Sequence, residues 1–249
     1  MPLGGGQRVG ASCYYLQLGN SSIILDAGTG LKDGIVYTPV LSSLNVLPSF
    51  YSLNQINQIY ISHAHIDHTG YLIDLISQAP NACVYMTDIT KSLTELQIYD
   101  RIYFDQKRRI KEENRLKAQS NLDKITLVSY MKTLSFLEYK VTFYPAGHIP
   151  GAMMMLFEYN NRKILYTGDY SIDPSPLSPA SFDLQEDIDT IIMCGLHAKH
   201  PNYRKNSDRI YNQVVICTPK VGHFWRCIFL WSKQEEKTKS ICQNLKYLL

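Results

Sequence analysis

No run in this chain reaches the roughly 18–20 consecutive apolar residues that a membrane-spanning helix needs. The opening Met1-Pro2-Leu3-Gly4-Gly5-Gly6-Gln7-Arg8 has no apolar signal-peptide core. The expectation is a protein without membrane association, cytoplasmic, or nuclear if the source is eukaryotic. Cysteine is sparse: six residues, at 13, 83, 194, 217, 227 and 242, form no C-x-x-C pair and no dense framework, which argues against a disulfide scaffold. Charge is also in short supply, at 19% of residues with a net of +3. Residues 214–249 carry six Lys or Arg against two Glu, whereas the rest of the chain carries nineteen basic and twenty acidic residues. Net charge therefore gives no support for a nucleic-acid face on the main body. What is present is 45% hydrophobic content over 249 residues, enough for one large domain, or one domain and a fragment of another.

Short β-rich runs punctuate the first third. Cys13–Leu18 and Ser22–Asp26 flank Gly19-Asn20, a hairpin signal, and Asp26-Ala27-Gly28-Thr29-Gly30 breaks the second run into a loop. Asn57–Ser62 is a further strand, Tyr71–Gln78 has helical spacing, and Cys83–Met86 returns as a strand. Lys91 to Lys117 reads as a long charged helix with eight basic and five acidic residues, including Lys107-Arg108-Arg109. A solvated helix face with i,i+4 pairs accounts for it; a phosphate-contacting surface is the alternative. Strands resume at Val141–Tyr144, Met153–Tyr159, Lys163–Thr167 and Thr190–Met193, with a hairpin at Asn160-Asn161-Arg162. Strands, a helical stretch, then strands again predict an α/β layered sandwich rather than regular βαβ winding.

Chemistry concentrates in His63-Ala64-His65-Ile66-Asp67-His68, directly after a strand. Alternate side chains of an extended chain share a side, so His63 and His65 can reach one ion. A turn after them directs Asp67 and His68 to a neighbouring position. Imidazole and carboxylate suit zinc, and also iron, manganese or cobalt. Burying so many polar groups without a ligand would be costly. Two further strand ends offer donors, Ala146-Gly147-His148 and Thr167-Gly168-Asp169, each with a glycine that lets the backbone bend beside the donor.

Together with Ala146-Gly147-His148-Ile149-Pro150-Gly151-Ala152 and Tyr166-Thr167-Gly168-Asp169-Tyr170-Ser171, the histidine run resembles the metallo-β-lactamase fold, in its β-CASP branch of RNA-processing nucleases. Gly6–Cys13 and Ile24-Leu25-Asp26-Ala27-Gly28 resemble the same branch, and the likeness extends from about Leu3 to about Asn212. The resemblance implies an αββα sandwich, here incomplete at the C-terminus, occupying residues 1–213, with a divergent basic tail at 214–249. It implies His63, His65 and His148 as ligands of a first zinc, Asp67 and His68 as ligands of a second, and Asp169 bridging both. Asp26 would support the site from behind, and Asp67 and Asp26 are the residues to which a catalytic role carries over. The implied reaction is hydrolysis of RNA phosphodiesters by a metal-bridging hydroxide, with RNA as the substrate partner. Protein partners and oligomeric state are left unassigned.

Departures from the branch set two alternatives beside this one. Where the branch has an acidic residue followed by Ser/Cys-Thr-Tyr-Gly, this chain reads Ile191-Ile192-Met193-Cys194-Gly195-Leu196-His197. Beyond Val215 the likeness stops, so the branch's later histidines, one completing the second zinc site and one acting as general acid, have no counterpart. The first alternative is a catalytically impaired remnant or scaffold that keeps the fold and some metal binding. The second is a small-substrate hydrolase of thioesterase or lactonase type.

Overall fold

The computed structural model describes residues 1–6, 9–106, 120–122, 125–175 and 177–195, and two short strands at 215–217 and 228–230. In chain order the elements are β1 (Pro2–Gly4), β2 (Cys13–Leu18), β3 (Ser21–Leu25), β4 (Gly30–Lys32), β5 (Ile35–Tyr37), β6 (Ile56–Tyr60), α1 (Ile66–Thr69), α2 (Leu72–Gln78), β7 (Cys83–Thr87) and α3 (Asp88–Gln106). They continue with β8 (Ile125–Val128), β9 (Thr133–Ser135), β10 (Lys140–Pro145), β11 (Met153–Tyr159), β12 (Arg162–Tyr166) and β13 (Thr190–Ile192). Two 3-10 turns, Leu41–Val46 and Leu53–Gln55, precede β6.

The period-2 alternation of each strand sorts its side chains between layers. Along β2, Cys13 and Tyr15 face one core while Tyr14, Leu16 and Leu18 face another. In β3 and β7, Ile24, Val84 and Met86 join the first core, and Ile23, Leu25 and Tyr85 the second. The second sheet repeats the rule: Met153, Met155 and Phe157 of β11 meet that second core, while Met154 and Leu156 point to a third cluster. The shared core therefore lies between a sheet ordered β1-β2-β3-β6-β7-β8 and one ordered β13-β12-β11-β10-β9. Outside the first sheet, Leu72, Leu75 and Ile76 of α2 close the first core. Outside the second, the loop residues Ile149, Tyr170, Leu184 and Ile188 pack on the third cluster.

The layered arrangement agrees with the sequence reading, and the metallo-β-lactamase fold is what these layers form. One part differs. From β6 to β8 the first sheet is parallel, with α2 and α3 as its crossovers, so βαβ winding is present locally. Crossovers of this kind leave consecutive strand ends on one side, where the site is built. The charged helix begins at Asp88, three residues before its expected start, and is described to Gln106; the Lys107-Arg108-Arg109 run expected as a helix face or phosphate contact lies outside the described residues. So does the expected domain boundary after residue 213. Chain contacts divide the molecule into residues 1–194 and 195–249. Within the latter, Val215–Cys217 pairs antiparallel with Ile228–Leu230.

The inter-sheet core is rich in phenols. Tyr60 and Tyr139 hydroxyls bond each other at 2.9 Å inside it. Burial first, then the neighbouring phenol, pushes Tyr60 far up, and burial raises Tyr139 as well. Burial raises Tyr130 to about 12 from an ordinary 10.0. Acids whose folded pKa is raised stabilise the fold fully below the unfolded value and lose that contribution as pH rises through the folded one. Thermal stability is expected to show no loss from this source up to about pH 10 and to fall steeply above it. Tyrosinate absorbance in the folded protein should lag that of the urea-unfolded chain; coincident titrations would refute this.

Candidate metal centre

Four strand ends meet at one edge of the sandwich. β3 ends before Asp26, β6 before the Ser62–His68 segment, β10 before His148 and β12 before Asp169. Asp26 N donates to Tyr60 O at 2.8 Å within the first sheet, and Met153 N donates to Ser62 O at 2.9 Å, tying the second sheet to it there. β6 stops at Tyr60 rather than at the expected Ser62 because Ser62 N donates instead to Asp26 Oδ1, at 2.6 Å. The chain is then free to turn, and His65 becomes the N-cap of the single-turn α1. Two glycines permit the approach. A Cβ on Gly28 would lie 1.6 Å from Asp67 O, and one on Gly168, at φ +53°, would lie 2.6 Å from Ser62.

His63, His65, His148 and Asp169 bring one donor atom each to within 4.8 Å of one another. His65 Nδ1 lies 3.0 Å from His63 Nε2 and 3.1 Å from His148 Nε2. One ring nitrogen carries at most one hydrogen, so it cannot satisfy both neighbours by donation. An ion between the three does satisfy them: nitrogens bound tetrahedrally at about 2.0–2.1 Å lie roughly 3.3 Å apart. The residues therefore fit a metal. Asp169 Oδ2 stands 4.0 Å from His63 Nε2 and 3.7 Å from His148 Nε2, while its Oδ1 stands 3.6 Å from His68 Nε2. Asp67 Oδ2 is 3.8 Å from the same His68 nitrogen. The donors thus fall into two adjacent groups with Asp169 between them. His63 and His68 form a buried floor, whereas the Asp67 side chain is 32% exposed at the mouth.

Asp26 lies wholly buried beneath this floor. Its Oδ2 accepts from His68 Nδ1 at 2.6 Å, Ser62 Oγ at 2.7 Å and Tyr166 OH at 2.5 Å. The residue adopts φ +60°, a left-handed conformation that costs about 1–2 kcal/mol for most residues and that Asp tolerates better than others. Burial, then the neighbouring imidazoles, holds His63 well below its ordinary value. Burial lowers His148 against the opposing pull of Asp169. Both rings are therefore neutral near pH 7 and carry a lone pair for an ion. Burial alone would lower His68, but Asp26, Asp169 and Asp67 outweigh it and raise that ring.

Every residue expected from the sequence as a ligand, together with Asp26, stands at this edge. The glycines before His148 and Asp169 have φ of +74° and +53°, as their place before a donor predicted. Ser62 and Tyr166 were missed as parts of the site. Ser62 immediately precedes the first histidine, and Tyr166 is the last residue of β12, at its buried end; a polar hydroxyl at each place was the available signal.

Residues 6–196 match the Metallo-beta-lactamase superfamily, and the chain belongs to that superfamily. Its curated relatives include two named as ribonucleases and one named as a cleavage and polyadenylation factor. Endoribonuclease ysh-1 of Neurospora crassa is 33% identical over 179 residues, 68% of this chain and 20% of that protein. Probable RNase MJ4 of Methanocaldococcus jannaschii is 31% identical over 196 residues, 76% of this chain and 43% of that protein. Cleavage and polyadenylation specificity factor 73 of Drosophila melanogaster is 32% identical over 177 residues, 68% of this chain and 24% of that protein. The chain thus spans from a fifth to about two fifths of the length of these relatives. Among solved structures, a subclass B3 metallo-β-lactamase from a soil metagenome library superposes with a TM-score of 0.49 at 14% identity, covering 74% of this chain and 73% of that one. The protein is a metallo-hydrolase fold bearing a His/Asp metal-binding group. No helix among the described residues is long and apolar enough to cross a membrane.

Proposed function

We propose that this chain is the metal-binding part of a zinc-dependent ribonuclease that hydrolyses RNA phosphodiesters. The observation that carries the proposal is Asp169, whose Oδ2 faces His63 and His148 while its Oδ1 faces His68. Such a split supports two neighbouring ion positions. His63, His65, His148 and Asp169 would hold the first ion, and His68, Asp67 and Asp169 the second. Zinc bound there would supply Lewis-acid activation of water and charge stabilisation at phosphoryl oxygens. The protein's own part is to hold the ligands in place: Asp26 fixes His68 from below, and the partly exposed Asp67 side chain marks the side from which substrate would approach. RNA as substrate rests on the relatives, whose names are those of an endoribonuclease, an RNase and a polyadenylation factor.

A second reading, a metal-binding domain with impaired hydrolysis, is favoured by the end of β13. There the chain runs Ile191-Ile192-Met193-Cys194 and offers no carboxylate. Cleavage of a 5′-labelled RNA by the purified chain separates the two. Under the first reading cleavage is weak but measurable, stops with chelator, returns with zinc, and falls below detection in Asp67→Ala. Zinc uptake with no cleavage of any RNA establishes the second reading. Chelator-insensitive cleavage contradicts both.

A further inference from the structure

We infer that Ser62 is a positioning residue, through which the single buried carboxylate of Asp26 sets the ring tautomer of one metal ligand on each side of Asp169. The inference rests on the metal-binding reading above. Its argument is a count of hydrogens. Ser62 Oγ owns one hydrogen. The Asp26 carboxylate, 2.7 Å away, only accepts, so that hydrogen is committed to Oδ2. His63 Nδ1 lies 3.0 Å from the same Oγ and has to donate to it. The His63 ring hydrogen is therefore on Nδ1, which leaves the lone pair on Nε2. That Nε2 is the atom 3.0 Å from His65 Nδ1 and 4.0 Å from Asp169 Oδ2.

On the other side the connection is direct. His68 Nδ1 donates to Asp26 Oδ2 at 2.6 Å, so its Nε2 is the nitrogen offered toward Asp169 Oδ1 and Asp67 Oδ2. The chain His63–Ser62–Asp26–His68 thus aims two Nε2 atoms at the two oxygens of Asp169. Tyr166 OH and Ser62 N occupy further lone pairs of Asp26 and prevent the carboxylate from rotating. A histidine ligand usually gives its other ring hydrogen to a carboxylate, carbonyl or water of its own. Here one carboxylate serves both rings, and the serine extends its reach to the first.

The tautomers are read directly by long-range 1H–15N correlation of the histidine rings in the whole chain, with and without added zinc. The wild type is expected to show His63 with its hydrogen on Nδ1 in the zinc-free protein. In Ser62→Ala the His63 signals should collapse to a tautomer mixture while the His68 assignment is kept. Zinc affinity at the first position should then fall about tenfold, the lower end of what outer ligand-supporting residues contribute. A His63 hydrogen found on Nε2 in the wild type overturns the inference, even if Ser62→Ala fails to fold. An unchanged His63 tautomer and unchanged zinc affinity in a folded Ser62→Ala overturn it equally. Failure of the wild type to take up zinc removes the metal reading instead, and the wild-type tautomer then decides the role of Ser62.

Discussion

Asp26→Ala, assayed in chelator so that bound metal does not contribute, is expected to lower folding stability by about 3–5 kcal/mol, the range for removing one partner of a buried ion pair. The carboxylate is fully buried and accepts from Ser62 N, Ser62 Oγ, Tyr166 OH and His68 Nδ1. Alanine leaves all four donors without an acceptor, in a site where each orphaned group costs about 1–3 kcal/mol. These costs are not additive, because the donors share one acceptor and relax together. Alanine also tolerates φ +60° less well than aspartate. Asp26→Asn is the control of equal volume: one side-chain oxygen still accepts, so its loss should be the smaller. Urea denaturation measures both, with a lower midpoint at unchanged m as the sign of lost stability. A loss under about 1 kcal/mol for Asp26→Ala would show that the network is not a structural keystone. Glu138 gives the contrast, since its carboxylate accepts from Asn20 and Ser21 at an exposed turn, where water competes for the same bonds and their net contribution is small.

The contrast between Asp26 and its partners also marks how far the sequence could be read. Strands that meet a core on each face, such as β2, β10 and β11, read as short, largely apolar runs with clear ends, and their expected limits fall within a residue of those observed. β8 and β9 are only four and three residues long, too short for periodicity to register. The β4–β5 hairpin did leave a signal, Asp33-Gly34, with φ of +52° and +77° as a two-residue turn demands. It was overshadowed by the glycines at 28 and 30, which read as continuous loop. The metal ligands were legible because His and Asp at close spacing have few structural uses. Ser62 and Tyr166 were not, because serine and tyrosine are ordinary residues in strands. Their role depends on β3, β6 and β12 ending at one edge, which only the topology reveals. The covering of the second sheet's outer face by Leu184 and Ile188 was hidden for the same reason. Those residues lie in an irregular segment without a period.

Asp169→Ala is expected to have the widest effect of any single substitution at the centre. Among the described residues, Asp169 alone presents one carboxylate oxygen to His63 and His148 and the other to His68. Under the proposed function, its removal takes a donor from both ion positions at once and leaves two neighbouring cations without the negative charge between them. Unscreened repulsion at such short range is severe in a partly enclosed site. Zinc content per chain, measured by elemental analysis after dialysis, should therefore drop by more than one ion, and RNA cleavage at least a hundredfold. That exceeds the roughly 10–100-fold typical of residues that only support a ligand. His65→Ala and Asp67→Ala separate the two positions, because among the described residues His65 Nδ1 meets His63 and His148, whereas Asp67 Oδ2 faces His68. Each of these should cost one position and spare the other. Asp169 has 22% of its side chain exposed, and its contacts with His63, His68 and His148 are no shorter than 3.6 Å, so Asp169→Ala should leave the urea midpoint of the metal-free protein close to that of the wild type. An Asp169→Ala protein that keeps its full zinc content would show that the carboxylate does not join the two groups, and the bridged arrangement would fall with it.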